Sequence, residues 1–377
     1  MKTTSDVIIV GAGIVGCMLA YWLRKSGRSV LLFERGQPGQ EASGAYAGLL
    51  SPAAEGHVEG PYASLSRQGL AALRETVAIL QDETGLDAGL ACAPLFRVAT
   101  SKQEGEVLYQ YWQKQRTLGG SATWLEASEV LAAEPAFSPR IIGAMRSPEE
   151  YHLMPRCLLP AVVAAGQLRG VRMLAGTAVS RLLTRGQRVI GVEAGGTIYQ
   201  TEQVVLASGA WSPALLQPLG LELAVAPKRG QMLTIVCPDF PLAFIVNTAW
   251  GYLVPKSDRS IVVGATQEDA GFVKAVTMSG IAQLLRVLSV LPPLMHATLQ
   301  QTFTGLRPMS ADGMPLLGPV PGWEGLCVAT GHSQHGILLS DITARMVTAH
   351  LNGENPGEHW ADFQVARALT PGKDHVL

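Results

Sequence analysis

Residues 7–34 constrain this chain more than any other stretch. Val7-Ile8-Ile9-Val10 is an uninterrupted β-branched run, the pattern of a parallel strand buried on both faces, and it ends abruptly at Gly11-Ala12-Gly13-Ile14-Val15-Gly16. An apolar-faced helix is predicted from Ile14 to Lys25, closed by Gly27. Ser29-Val30-Leu31-Leu32-Phe33 then reads as a second strand whose end carries Glu34, 18 residues after Gly16. Together these form a complete βαβ dinucleotide unit. Gly11 permits the tight turn, Gly13 lets the backbone approach a pyrophosphate, and Gly16 lets helix and strand pack closely. The helix N-terminus offers amide donors and a partial positive charge. Glu34 is placed to accept hydrogen bonds from a ribose. NAD and FAD share this unit, and the acid argues only against NADP.

Later segments continue the pattern. Glu41-Ala42-Ser43-Gly44-Ala45-Tyr46-Ala47-Gly48-Leu49-Leu50 is rich in small residues, which suits backbone passing close to a bulky flat ligand, though a flexible loop has the same composition. The spacing of Leu65, Leu70, Leu73, Val77 and Leu80 predicts an amphipathic helix over residues 62–83, and residues 104–118 read as another. Residues 189–193 and 198–207 flank Gly195-Gly196, a β-hairpin feeding a buried strand that ends at Ser208-Gly209-Ala210-Trp211-Ser212. Over residues 225–266 the pattern predicts short antiparallel strands broken at Lys228-Arg229-Gly230, Pro238 and Lys256-Ser257-Asp258. Gly305-Leu306-Arg307-Pro308 leads to a strand at 326–329, the turn Gly331-His332-Ser333-Gln334-His335-Gly336 and an apolar helix near 337–351.

Composition narrows the function classes. Across 377 residues, 29 Lys and Arg face 30 Asp and Glu, a net charge of −1, with 16% charged residues and no basic run, which disfavours nucleic-acid binding. The five cysteines, Cys17, Cys92, Cys157, Cys237 and Cys327, show no ligand-like spacing, so neither a disulfide framework nor a metal site is expected. Residues 7–23 carry no charge, yet their glycines and the preceding Asp6 argue against a signal peptide or membrane span. A cytoplasmic location is expected.

Taken in order, these motifs resemble the D-amino-acid oxidase superfamily of FAD-dependent oxidoreductases, and within it the glycine oxidase and sarcosine oxidase-like enzymes. The markers are Gly11 to Gly16 with Glu34, the 43–49 segment, Ala207-Ser208-Gly209-Ala210-Trp211-Ser212, Pro227-Lys228-Arg229-Gly230-Gln231, Gly305-Leu306-Arg307-Pro308 and Gly331-His332. The resemblance implies an α/β plus α+β fold, with a Rossmann-type FAD-binding domain and an interleaved substrate domain built on an antiparallel sheet. The expected FAD-binding segments are 1–85, 141–215 and 305–360. The substrate domain takes 86–140 and 216–304, and residues 361–377 form a C-terminal tail.

By matching motif position, Ile14, Val15, Glu34 and Arg35 would hold the adenosine half of FAD, and Ala42, Ser43, Ala47, Gly48 and Leu49 the pyrophosphate and flavin. Val179 would contact adenine, and Gly209 and Trp211 would border the cofactor. Gly331, His332, Ser333, Gln334, His335, Gly336, Ile337 and Leu338 would run along the flavin ring, where a helix N-terminus stabilises negative charge. Arg307 matches the arginine that binds a substrate carboxylate, and Tyr252 a tyrosine that helps to hold it. On pattern alone Trp250 and Tyr252 read as core aromatics, and His332 and His335 as structural residues.

Two departures from the family pattern matter. Glycine oxidases of this kind usually carry Arg where this chain has Gln334, and a neutral amide cannot form a charged fork. No cysteine stands near Arg307, where sarcosine oxidases attach flavin covalently, so FAD is expected to be non-covalent. The implied reaction is oxidation of glycine or a small N-substituted glycine, such as sarcosine or iminodiacetate, to glyoxylate with peroxide release. The substrate is then a small amino acid or secondary amine and the acceptor molecular oxygen; a homo-oligomer is left open. Two alternatives stand beside it: a dehydrogenase of D-amino acids or proline-type imino acids passing electrons to a quinone or partner subunit, and a redox-silent FAD-binding scaffold.

Overall fold

The computed structural model describes residues 3–52 and 59–372. The strand Val7–Val10 forms as its fully buried side chains require, with parallel neighbours on both sides: Val30–Phe33 and Val204–Leu206. Around it lies a six-stranded sheet in the order 316–319, 326–330, 204–206, 7–10, 30–33, 172–174, parallel except for its 316–319 edge. The helix Ile14–Lys25 packs Met18, Leu19 and Leu23 into one core with Leu158 and Val162 of the helix Pro155–Leu168 and Ala344 and Val347 of the helix Ser340–Leu351. The opposite sheet face, with Ile8, Leu31 and Leu206, is covered by the small sheet of Val179–Arg185, Arg188–Ala194 and Thr197–Gln200. The hairpin about Gly195-Gly196 is present within it, and the 179–185 strand adds a third member.

A nine-stranded sheet forms the second layer, antiparallel apart from the pairing of Ile245–Thr248 with Ala91–Ala99. Its outer face is capped by the amphipathic helix Met278–Leu288 over an aromatic cluster of Phe96, Phe137 and Phe244. The inner face presents Met232, Val254, Val262 and Leu95 toward Ala47 and Leu49 of the small-residue segment. The predicted helices stand at Pro61–Thr84, ended by Gly85 in the left-handed region, and at Lys102–Thr117, where the Ser101 hydroxyl accepts from Glu104 N–H.

Four expectations are corrected. Lys228-Arg229-Gly230 does not break a strand, because Val225–Val236 runs through it in register with Thr298–Ser310, Gly230 opposite Gly305. The strand Gly143–His152 belongs to the nine-stranded sheet, so residues 141–152 go with the substrate layer; the 298–310 strand likewise crosses the expected boundary at 305. Residues 361–372, expected as a C-terminal tail separate from both domains, pack onto them. Phe363 and Val365 are fully buried, and Leu369–Pro371 pairs with Leu221–Leu223; residues 373–377 lie outside the described residues. The last helix begins at Ser340, after a turn in which Leu339 N–H donates to the His335 carbonyl, so no helix N-terminus stands at 332–338.

Candidate active site

A cavity of about 440 Å³ runs along the carboxyl ends of the parallel strands and beneath the inner face of the second sheet. At one end the Glu34 carboxylate accepts from Ala12 N–H and Gly36 N–H, both at 2.9 Å. Those bonds lock the turn and leave its other lone pairs available. Arg35 lies 3.8 Å above the Trp211 ring and pairs with Glu41 at 2.8 Å. Thr177, Ala178, Val179 and Ser180 complete this end.

The middle is formed by Gly11, Gly13, Ile14 and Val15 with Ala42 and Ser43. Gly11 has φ +106°, and a Cβ there would sit 2.6 Å from the Ala207 carbonyl oxygen. Ile14 N–H donates to Ser43 Oγ at 2.9 Å, and the first helical turn contains no acid that would neutralise its positive end. A Cβ at Gly13 would approach Ser43 Oγ at 3.3 Å. This narrow cradle fits a pyrophosphate, and the acid at the strand end fits a ribose.

The far end is shaped by missing side chains. Gly230, Gly264 and Gly305 lie on the inner sheet face: Arg307 rests over Gly230, the Tyr252 ring over Gly264, and Ala45 against Gly305. Arg307 lines the cavity, donates from Nη1 to the Thr266 carbonyl at 3.0 Å, and makes no ion pair among the described residues. Three other cations of this layer are matched: Lys228 with Asp269, Arg229 with Glu268, and Lys274 with Glu41. Gln334 also lines the cavity and accepts a 3.3 Å hydrogen bond from Gln267 Nε2. The Tyr252 hydroxyl lies 3.8 Å from Met232 Sδ, on the same sheet face as Arg307 but outside the cavity wall.

Of the residues singled out in the sequence, Gly209, Trp211, His332, Ser333, Gly336 and Ile337 also line the cavity. Others stand behind it. Gly16 packs on the Gly11 carbonyl, Gly331 on Leu316, and Leu338 is in the core. His335 is hydrogen-bonded to the Tyr62 hydroxyl, and Ala47, Gly48 and Leu49 back the wall through contacts to Lys256, Leu153 and His152. His332 bonds Thr343 Oγ1 at 2.9 Å, and burial pushes its pKa down to about 4, keeping the ring neutral.

Several residues escaped the sequence reading. Glu41, Tyr46 and Leu306 stand inside motifs that point to this site but were not assigned to it individually, and Thr177 and Ser180 flank Val179; all five line the cavity. The Lys256 ammonium is buried, donating to the Ala47 carbonyl and, at 2.9 Å, to that of Leu153. Burial pulls its pKa down to about 7. A lysine in a hairpin turn carries no sequence signal for such burial.

Residues 6–350 match the DAO family of FAD dependent oxidoreductases. This chain belongs to that family. It is 32% identical to the glycine oxidase of Geobacillus kaustophilus over 97% of each chain, and 32% identical to that of Pseudomonas aeruginosa over 93% of this chain and 95% of the other. The crystal structure of the Geobacillus kaustophilus glycine oxidase superposes with a TM-score of 0.92, covering 97% of this chain and 99% of that one. An iminodiacetate oxidase from Chelativorans sp. BNC1 shares the fold at a TM-score of 0.86 and 24% identity, over 95% of this chain and 98% of that one. The family's cofactor is FAD, and this cavity has the parts to hold it. Among the described residues no helix is long and apolar enough to cross a membrane, and all five cysteines are free.

Proposed function

We propose that the chain oxidises glycine or a small N-substituted glycine with non-covalent FAD and oxygen as acceptor, in the cytoplasm. Per turnover, amine, oxygen and water give glyoxylate, the freed amine or ammonia, and hydrogen peroxide. The observation that carries this reading is Arg307: a guanidinium with no counter-ion among the described residues, seated on a glycine floor at the cavity end remote from Glu34. Its planar fork suits a carboxylate in two-bond geometry, and Tyr252, on the same sheet face, serves as second carboxylate partner only if its hydroxyl turns from Met232 into the cavity. Glu34, Arg35 and Val179 hold the adenosine half, the Gly11 to Val15 turn with Ser43 the pyrophosphate, and residues 332–337 the isoalloxazine edge. The two glycine oxidase relatives support the substrate class.

When bound, FAD supplies the two-electron acceptor that the side chains lack. The protein's part is positioning. Arg307 fixes the carboxylate so that the Cα–H and the neutral amine face the cofactor, and the walls exclude water. No side-chain base is required. His332 stays neutral through burial and bonded to Thr343, and takes no proton from substrate.

Purified protein is mixed with glycine, sarcosine, N-ethylglycine, iminodiacetate or proline, and peroxide is measured. Peroxide from glycine or sarcosine is expected, with little from proline. Reduction of a quinone analogue by proline, without peroxide from any glycine, overturns the reading in favour of a dehydrogenase.

A further inference from the structure

We propose that residues 268–277 form a clasp on the outside of the cofactor cavity's wall, one that must open for FAD to enter or leave. The strap is anchored in the substrate layer at both ends. Glu268 is held by Arg229 at 2.5 Å, Gln231 Nε2 at 2.6 Å and the Thr266 hydroxyl at 2.5 Å, and Thr277 N–H donates to Gln231 Oε1 at 2.7 Å. Between these anchors it leaves its own layer and touches the cofactor layer twice. Phe272 packs on Trp211 with centroids 5.3 Å apart, and Lys274 reaches Glu41 at 3.1 Å and the Gln40 carbonyl at 2.6 Å.

These two contacts close a circuit. Arg35 pairs with Glu41, Glu41 with Lys274, Lys274 connects along the strap to Phe272, Phe272 stacks on Trp211, and Trp211 lies under Arg35. Arg35, Glu41 and Trp211 line the cavity, whereas Phe272 and Lys274 do not. The strap therefore braces the wall from outside by bridging the two layers, and in the proposed clasp it is this bridge that parts when a ligand as long as a dinucleotide passes. Its crossing contacts are solvent-accessible, Phe272 being 53% exposed, so opening is cheap compared with unfolding either layer. Gly271, at φ +52° with nothing within 4 Å of where a Cβ would stand, puts the most permissive backbone of the strap beside Phe272.

The proposal rests on the cavity being the FAD site, and it is tested by kinetics that do not depend on turnover. FAD association with apo-protein and release from holoenzyme are followed by flavin fluorescence in the native chain, Phe272→Ala, Lys274→Ala and the double variant. A clasp predicts that both rate constants rise together, by about tenfold in the double variant, one aromatic contact and one exposed ion pair being lost. Raising salt from about 0.05 to about 0.5 M should speed release in the native chain more than in Lys274→Ala, because screening acts on the Lys274–Glu41 pair. Faster release with unchanged association would make the strap a fixed wall and overturn the clasp, as would unchanged rates. A lowered melting temperature of apo-protein with slower association would show a structural role instead, and also overturn it. If the native chain takes up no FAD at all, the functional reading fails before the clasp is reached.

Discussion

A lysine at position 307 would keep the charge and lose the fork. Arg307→Lys should therefore cut kcat/KM for glycine or sarcosine by at least about 100-fold, while FAD content stays normal, because a point charge cannot reproduce two parallel bonds to a carboxylate. Lost flavin with near-normal turnover in the remaining holoenzyme would mark Arg307 as structural. Gln334 is the second informative position, since it lines the cavity and carries no charge. A charge-assisted hydrogen bond contributes roughly 1.5 to 3 kcal/mol. Gln334→Arg should thus shift the ratio of efficiencies toward glycine over N-substituted glycines by at least about tenfold. An unchanged ratio with intact FAD would show that position 334 does not discriminate between these substrates.

The elements that build the site work through what they omit. At the glycine turn after the first strand, Gly13→Val would place a branched side chain against Ser43, in the space a pyrophosphate needs, and the purified variant should be colourless. Normal FAD content would remove that argument. The long strand pair carries the same logic to the substrate end. A methyl group at Gly230 would collide with the Arg307 guanidinium, so Gly230→Ala should raise the KM for substrate about tenfold or more while flavin absorbance is retained. An unaltered KM would show that Arg307 can leave its seat without loss.

For the molecule as a whole, two measurements follow from burial. No cysteine lines the cavity, so acid precipitation should release all of the FAD and leave a colourless pellet. His332 should contribute to acid sensitivity, alongside His152, which burial also lowers to about 4, and His350, which it lowers as well. Burial lowers the His332 pKa from 6.5 to about 4, so between these values the unfolded chain binds a proton that the folded chain does not. Stability is therefore lost as pH falls from about 6.5 toward 4, by up to on the order of 3 kcal/mol from this ring. His332→Gln, which can still bond Thr343, should flatten the fall in melting temperature between pH 7 and pH 5. An equal fall in both proteins would assign the acid sensitivity to other groups.

What could be read in the sequence was local. The 7–34 unit, the two amphipathic helices and the Gly195-Gly196 hairpin are specified by residues a few positions apart, and they form within a residue or two of the predicted places. The family's motifs carried the cavity wall further, to Val179, Trp211 and Arg307. Tertiary structure decided the rest, because sheet pairing and burial depend on partners remote in the chain. Gly230 reads as a break until Gly305 pairs with it from 75 positions away, and that pairing gives Arg307 its seat. The strand 143–152 joins the substrate layer only because its partner, Ala91–Ala99, is there. Lys256 becomes a buried ammonium only when the carbonyls of Ala47 and Leu153 converge on it from separate segments. Local propensity is written in short-range spacing, whereas a site assembled from distant segments exists only once the layers have packed.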